Sequence, residues 1–323
     1  MDFSLSPEQE LLRETARAVL AAHCTPALVR AHLADPSQAD GLWQHLREFT
    51  GLATGPVVDL CLFLEETGAA LAPGPFFSTT ALFAPVVAAA GDDALLARIA
   101  DGEVTGTVTL RAPVATPAVE GDRVDLIAIV DAEPSVRIVE QPQVAVDVLP
   151  PFDLSRTVAE VAEPSSRNGA VRPVTQAALD TAIARATVAT AAELIGTARW
   201  TLDTTLEYVK VREQFDRPIG SFQALQHRLA DMKLLFERAW SAVYFAAMTV
   251  DADDPERDRA VHVAKASAGD AARHIAKESI QMHGGIGFTW EHDLHLYIRR
   301  AFASEQLLGT SDWHRDRLAD LVL

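Results

Sequence analysis

The sequence predicts a mainly helical protein with a small β domain in its middle, and the texture of three stretches of the 323 residues predicts it. The first hundred residues carry a helix cap and apolar positions at three- and four-residue spacing. From residue 104 to about 171 the chain turns to β-branched runs broken by Pro, Gly and Asp, and beyond that long helical ladders return. The expected organisation is a helical domain over 1–103, a reduced β domain over 104–172 and a four-helix bundle over 173–323.

In the first stretch, Ser6-Pro7-Glu8-Gln9 reads as a capping box with proline at the first helical position, so a helix should start at Pro7. Leu12, Ala16, Val19 and Leu20 give it one apolar face. Further helical pieces are expected near 41–49, 56–70, 79–90 and 93–99. About five strands follow, near 105–110, 124–130, 136–139, 144–148 and 157–161, and the turn-forming run 164–169 is the linker candidate. After Pro173 no proline occurs until Pro218. Leu179, Ile183, Ala186, Thr190, Leu194, Ala198, Leu202, Leu206 and Val209 form a ladder that is apolar at every step but one, which predicts a single long helix. A second helix is expected over 222–250, a third opening at Asp254-Pro255 as N-cap and first position and reaching Met282, and a fourth over 292–308.

Composition excludes several functions. Asp plus Glu number 45 against 28 Lys plus Arg, a net charge of −17, which repels phosphate backbones and anionic membranes, so neither nucleic acid nor membrane is an expected partner. Cys24 and Cys61 are the only cysteines and form no C-x-x-C, so a reducing cytoplasm is expected, with no disulfide framework and no cysteine zinc site. The first residues lack the basic and apolar regions of a signal peptide, and the longest apolar run, 81–90, is too short to span a bilayer.

Two stretches stand out chemically. Arg212 closes the first bundle helix beside a turn, where a planar cation can grip a diphosphate through two hydrogen bonds; the plainer alternative is a surface ion pair with Glu207 or Glu213. Gly284-Gly285-Ile286-Gly287 follows a helix, where glycine either caps the helix at positive φ or permits close backbone approach to a ligand, with Gln281 offering an amide. His292 and His295 have a chelating spacing but no third ligand, so no metal is expected, and 312–316 reads as a packed amphipathic end rather than a catalytic dyad.

The run Val211-Arg212-Glu213-Gln214-Phe215-Asp216-Arg217-Pro218-Ile219-Gly220-Ser221-Phe222-Gln223, joined to Gln281-Met282-His283-Gly284-Gly285-Ile286-Gly287-Phe288, resembles the acyl-CoA dehydrogenase family. Phe3-Ser4-Leu5-Ser6-Pro7-Glu8-Gln9 and Glu65-Glu66-Thr67-Gly68-Ala69-Ala70-Leu71-Ala72-Pro73 are similar more weakly. The resemblance implies a helical N-terminal domain, a middle β domain, a C-terminal four-helix bundle and FAD. It also implies that Arg212, Phe215, Gln223, Gln281, Gly284 and Gly285 reach across a subunit interface to the diphosphate and adenosine of FAD held mainly by a neighbour. Asp216 departs from the family pattern, which usually has glycine there.

The family removes an α-proton from an acyl-CoA thioester with a carboxylate while the β-hydride passes to flavin, so a correctly placed glutamate is required. Its usual position, before a Gly-Thr, is here Leu308, and the other known position, twenty-six residues before the motif arginine, is Ala186. Neither can accept a proton. Glu305, a helical turn before Leu308, is the weak candidate for a relocated base, and Glu193 is no better placed. The segments that cradle the flavin ring are also missing: Val108-Thr109-Leu110-Arg111-Ala112-Pro113 stands where the first would be, and the chain passes directly from Gly55 to Pro56 where the family has a glycine-rich loop.

The resemblance therefore implies a subunit without a base of its own in an α2β2 acyl-CoA dehydrogenase, similar to those of bacterial steroid side-chain degradation. A full-length partner would supply the base, the flavin-ring pocket and the acyl-CoA site, with electron-transferring flavoprotein as the acceptor. Two alternatives stand beside it: a self-sufficient homo-oligomeric dehydrogenase using Glu305, and a non-enzymatic structural or regulatory subunit.

Overall fold

The computed structural model describes residues 4–164, 169 and 171–323. The linker candidate at 164–169 falls largely outside the described residues. Six helices come first: α1 (Pro7–His23), α2 (Pro26–Ala34), α3 (Asp40–Leu46), α4 (Val57–Ala69), α5 (Ala84–Ala89), entered through a π-helical turn at Ser78–Phe83, and α6 (Asp93–Ala100). The capping box forms as its sequence requires: the Ser6 hydroxyl accepts from the Gln9 amide at 3.3 Å, and the Gln9 side chain accepts from the Ser6 amide at 3.1 Å. Helix α2 was not among the expected elements, although Thr25-Pro26 carries a similar start signal and the Thr25 hydroxyl accepts from the Leu28 amide at 3.2 Å. Only nine residues long, it is too short for a periodic apolar stripe to stand out.

Among the described residues seven strands follow rather than five: β1 (Gly106–Leu110), β2 (Ala118–Val119), β3 (Leu126–Val130), β4 (Ser135–Glu140), β5 (Val146–Val148), β6 (Val158–Val161) and β7 (Val171–Pro173). They form one sheet in the order β1-β3-β4-β7 and another in the order β2-β6-β5. Strands β1 and β3 run parallel, Gly106 opposite Leu126, and the other pairs are antiparallel. The two unexpected strands, two and three residues long, have no alternating run; their pairing partners, not their own residues, make them strands.

The C-terminal bundle comprises α7 (Gln176–Val211), the two-residue strands β8 (Glu213–Gln214) and β9 (Arg217–Pro218), α8 (Gln223–Asp251), α9 (Arg257–His283), α10 (Leu294–Gln306) and a fifth helix, α11 (Ser311–Val322). Helix α9 begins later than expected. Asp254 does not cap a helix starting at Pro255; its carboxylate accepts from the Glu256 amide at 2.8 Å and its carbonyl from the Arg257 amide at 2.9 Å, a turn that delays the helix. At 36 residues, α7 extends about 54 Å and is the spine of the molecule. It crosses α4 through glycine against backbone on both sides: a Cβ on Gly68 would lie 2.0 Å from the Glu193 carbonyl oxygen, and one on Gly196 would lie 1.9 Å from that of Glu65. Any side chain at either position would force the helices apart.

A buried ionic cluster ties the middle region to the bundle. Arg300 on α10 is fully buried against Asp153, the Ser155 hydroxyl at 2.8 Å and Glu193 of α7 at 3.4 Å, while Arg156 reaches Glu193 at 2.5 and 3.0 Å. Nearby Glu120 is buried. Burial, against the pull of Arg156 and Arg123, pushes its carboxyl up to about 7, and one of its oxygens has no hydrogen-bond partner among the described residues, only the Arg123 guanidinium 3.9 Å away. A carboxyl raised above its unfolded value is stabilising while protonated, and that contribution is lost as pH rises through about 7. Glu120→Gln is accordingly expected to flatten the decline in thermal stability between about pH 5 and pH 8, with the variant gaining on wild type at the upper end. Parallel melting curves for the two proteins would reveal no such gap if Glu120 were ionised throughout.

Candidate functional site

Helices α7 and α9 end side by side. The Tyr208 ring stacks on His283 at 4.2 Å, and its hydroxyl donates to the His283 carbonyl at 3.4 Å. This contact sets Arg212, one turn past Tyr208, and Gly284, the residue after His283, at the same end of the bundle, although about sixty residues separate 212–223 from 281–288. All six predicted positions, Arg212, Phe215, Gln223, Gln281, Gly284 and Gly285, are solvent-exposed there.

Arg212 terminates α7, its amide donating to the Tyr208 carbonyl at 2.9 Å. The ion pair weighed for its side chain does not form: Glu207 is taken by Lys210 at 2.6 Å, and the Arg212 guanidinium has no hydrogen-bonding or ionic partner among the described residues. The following turn carries Phe215 at φ 55° and Asp216 at φ 62° between β8 and β9. Two consecutive left-handed residues are what a tight two-residue hairpin needs, which accounts for the glycine usual in the family and for the tolerance of Asp, whose short polar side chain also accepts that conformation. Phe215 is consequently held outward and 85% exposed. Arg217 is occupied by stacking over Phe222 at 4.0 Å.

The glycine turn separates into two requirements. Gly284 closes α9 at φ 62°, ψ −141°, a conformation open essentially to glycine, so the backbone alone explains it. Gly285 has no positive φ, and a Cβ there would touch nothing within 4 Å. Among the described residues nothing obstructs the Gly285 backbone, so it is open to close approach from outside the chain. Phe288 and Trp290, 70% and 61% exposed, continue the apolar surface beside this turn. An unpaired guanidinium, two free side-chain amides and an unobstructed glycine backbone fit an anionic, hydrogen-bonding ligand such as a nucleotide diphosphate.

The two positions at which the resemblance would put a base lie elsewhere, around a cavity of about 560 Å³ between the end of β1, the N-terminal half of α7, and α9 and α11. Leu308 lines it, buried and at φ 57°, in the turn joining α10 to α11. Ala186 is buried on the same turn of α7 as the lining residues Ala184 and Thr187. Glu305 does not line this cavity. Its carboxylate is buried and accepts from the Ser311 amide at 2.8 Å and the Gln306 side chain at 2.6 Å. Beneath the same turn, the buried Lys265 ammonium donates to the carbonyls of Glu305 and Gly309, both at 2.8 Å; burial lowers it to about 8 despite Glu305 nearby. Glu193 is committed to Arg156 and Arg300. Arg111, in the segment that replaces the first flavin-ring motif, pairs with Asp131 at 3.2 Å and Glu163 at 2.8 Å.

Sequence reasoning missed one pair at this cavity. His314 is buried, not merely part of an amphipathic end, and meets His262 of α9, Nδ1 to Nδ1, at 2.8 Å. The two are fifty-two residues apart on different helices, and no local pattern signals the contact. Among the metal-spacing histidines, His292 accepts from the Leu294 amide at 3.0 Å and His295 packs edge-on to Trp290. No helix among the described residues is long and apolar enough to cross a membrane.

Residues 176–323 match the acyl-CoA dehydrogenase C-terminal domain family. The chain is similar to the acyl-CoA dehydrogenase IpdE2 of Mycobacterium tuberculosis, 36% identical over 317 residues that cover 93% of each protein. Among solved structures it is similar to the ChsE4-ChsE5 complex from Mycobacterium tuberculosis, with TM-score 0.84 and 25% identity over 99% of this chain and 98% of that one. A variant of the Tcur3481-Tcur3483 steroid ACAD is equally similar, with TM-score 0.85 and 25% identity over 98% of this chain and 97% of the other.

Proposed function

This chain belongs to the acyl-CoA dehydrogenase family, and from that premise we propose that it is the accessory subunit of a hetero-oligomeric, FAD-dependent enzyme, an α2β2 assembly with a full-length dehydrogenase subunit. The observation that carries the reading is the exposed end of α7 and α9, where, among the described residues, Arg212 lacks an intramolecular partner and nothing obstructs the Gly285 backbone. In the assembly Arg212 grips the FAD diphosphate with its planar fork, Gln223 and Gln281 donate or accept through their amides, Gly284 and Gly285 let the backbone approach, and Phe215 covers the adenosine side. Bound FAD would accept the β-hydride of the acyl thioester. This chain's part is to hold the cofactor's far end and to exclude water from it with Phe215, Phe288 and Trp290.

The partner supplies the α-proton acceptor, the flavin-ring pocket and the acyl-CoA site. The two solved relatives are named as two-component proteins, one of them a steroid ACAD, which favours a bulky polycyclic acyl group. Electron-transferring flavoprotein is the acceptor this reading implies, and the cytoplasm its compartment. A self-sufficient enzyme is disfavoured because Glu305, its base, is spent on the Ser311 amide.

Expression alone and with a full-length partner tests the proposal. The chain alone should purify with little flavin, because a few diphosphate contacts cannot offset an association cost of at least about 4 kcal/mol; the complex should be yellow. Within the complex Arg212→Ala should lower FAD retention, and Arg212→Lys should restore it only in part, keeping charge but losing the two-pronged fork. About one tight flavin per isolated subunit, or normal retention in both variants, would refute the assignment.

A further inference from the structure

The turn that carries Gly284 and Gly285 is held mostly by bonds within itself. Thr289 donates through its amide and its hydroxyl to the Ile286 carbonyl, the His292 amide donates to the Thr289 carbonyl, and the Leu294 amide to the His292 ring. Among the described residues, the one hydrogen bond that reaches 284–293 from beyond α9 and α10 comes from Arg30 of α2, 260 positions away, whose Nη1 donates to the Trp290 carbonyl at 2.8 Å. Nη2 of the same guanidinium lies 2.6 Å from Oδ1 of Asp293, off the line of a hydrogen bond. The carbonyl therefore supplies direction and the carboxylate supplies charge.

Both sides of this contact are anchored. The Thr25 hydroxyl caps α2, and Val29 and His32, flanking Arg30, are buried, so the guanidinium is carried by a helix fixed in place. On the other side His295 of α10 packs edge-on to the Trp290 ring at 4.7 Å, leaving that ring 61% exposed beside the glycine turn. A segment joined only by local bonds samples several conformations, and ordering it at the moment of binding weakens the complex it forms. We propose that Arg30 is a positioning residue for cofactor binding, fixing the glycine turn and Trp290 in the conformation that receives FAD, so that α2 governs how long the assembled enzyme keeps its flavin. The inference rests on the reading that this turn faces FAD, and adds to it a residue of the N-terminal helices that acts through the turn.

FAD release from the complex, followed by flavin fluorescence after dilution, and hydrogen exchange of the full chain alone test it together. Well below the melting temperature, Arg30→Ala should release FAD about tenfold faster than wild type, the worth of one charge-assisted hydrogen bond. Arg30→Lys keeps a charge opposite Asp293 but loses the fork that reaches two groups, so its rate should fall between the two; it carries the test if the alanine variant does not fold. In the chain alone, the amides of 284–293 should exchange faster in Arg30→Ala while those of α7 and α8 stay unchanged, a pattern that a general loss of stability does not give. Arg212→Ala separates this inference from the reading beneath it. Faster release in Arg212→Ala but not in Arg30→Ala overturns the role of Arg30 alone, and unchanged release in both overturns the reading and this inference with it. Exchange that rises evenly over the whole chain, or stays at the wild-type rate in 284–293, also overturns it.

Discussion

Glu305→Gln in the loaded complex is expected to leave acyl-CoA turnover within a few-fold of wild type, whereas replacing the general-base glutamate of the full-length partner should lower it by at least about 10²-fold with flavin still bound. The contrast follows from position. Abstracting an α-proton needs a carboxylate within hydrogen-bonding reach of that carbon, and in the proposed reading Leu308 and Ala186 stand at the two positions the family uses. Glu305 lies one turn away with one oxygen on the Ser311 amide, at the start of α11, and Lys265 bonded to its own carbonyl. Glutamine keeps the acceptor for Ser311 and loses only the charge facing Lys265 and, at 3.8 Å, Arg273. The expected damage is thermal, not kinetic. Turnover falling by orders of magnitude in Glu305→Gln, with melting and flavin content intact, would put the base in this chain and end the accessory-subunit reading.

Arg300→Met should cause the largest stability loss of any single change considered, about 3–5 kcal/mol, because it strands buried carboxylates rather than removing a pair. Asp153 is buried. Burial alone would raise its carboxyl, and Arg300 and Arg156 reverse this and hold it below the usual range. Without Arg300 the carboxylate must either protonate or stay charged in a poorly solvating site. A carboxyl with a lowered folded-state pKa stabilises above its unfolded value and loses that contribution as pH falls, so wild type should weaken on acidification and Arg300→Met should show less of this slope. Melting temperature should fall by on the order of 5–10 °C in a chain of this size. Adding Asp153→Asn to Arg300→Met should recover part of the loss, since both partners are then uncharged. A single variant that melts with wild type would mean that Arg300 is not supporting the cluster.

Local chemistry determined much of this protein before any fold was known. The capping box at Ser6 needs only four consecutive residues, and the ladder from Leu179 to Val209 needs only helical periodicity, so α1 and α7 were legible in the sequence. Resemblance supplied the family and the six flavin-facing candidates, and the residues at 186 and 308 put the base in question without coordinates. What local pattern could not supply were features created by packing. Strands β2 and β7 exist because neighbours pair with them, and the start of α9 is delayed by hydrogen bonds at Asp254. The sequence left Arg212 with two possible carboxylate partners; the structure pairs Glu207 with Lys210 and leaves the guanidinium free. It left Glu305 as a candidate base without placing its carboxylate; in the structure one oxygen accepts from the Ser311 amide. His262 and His314 meet only because α11 folds back onto α9, and contact between distant residues depends on tertiary packing, which periodicity and spacing along the chain do not encode.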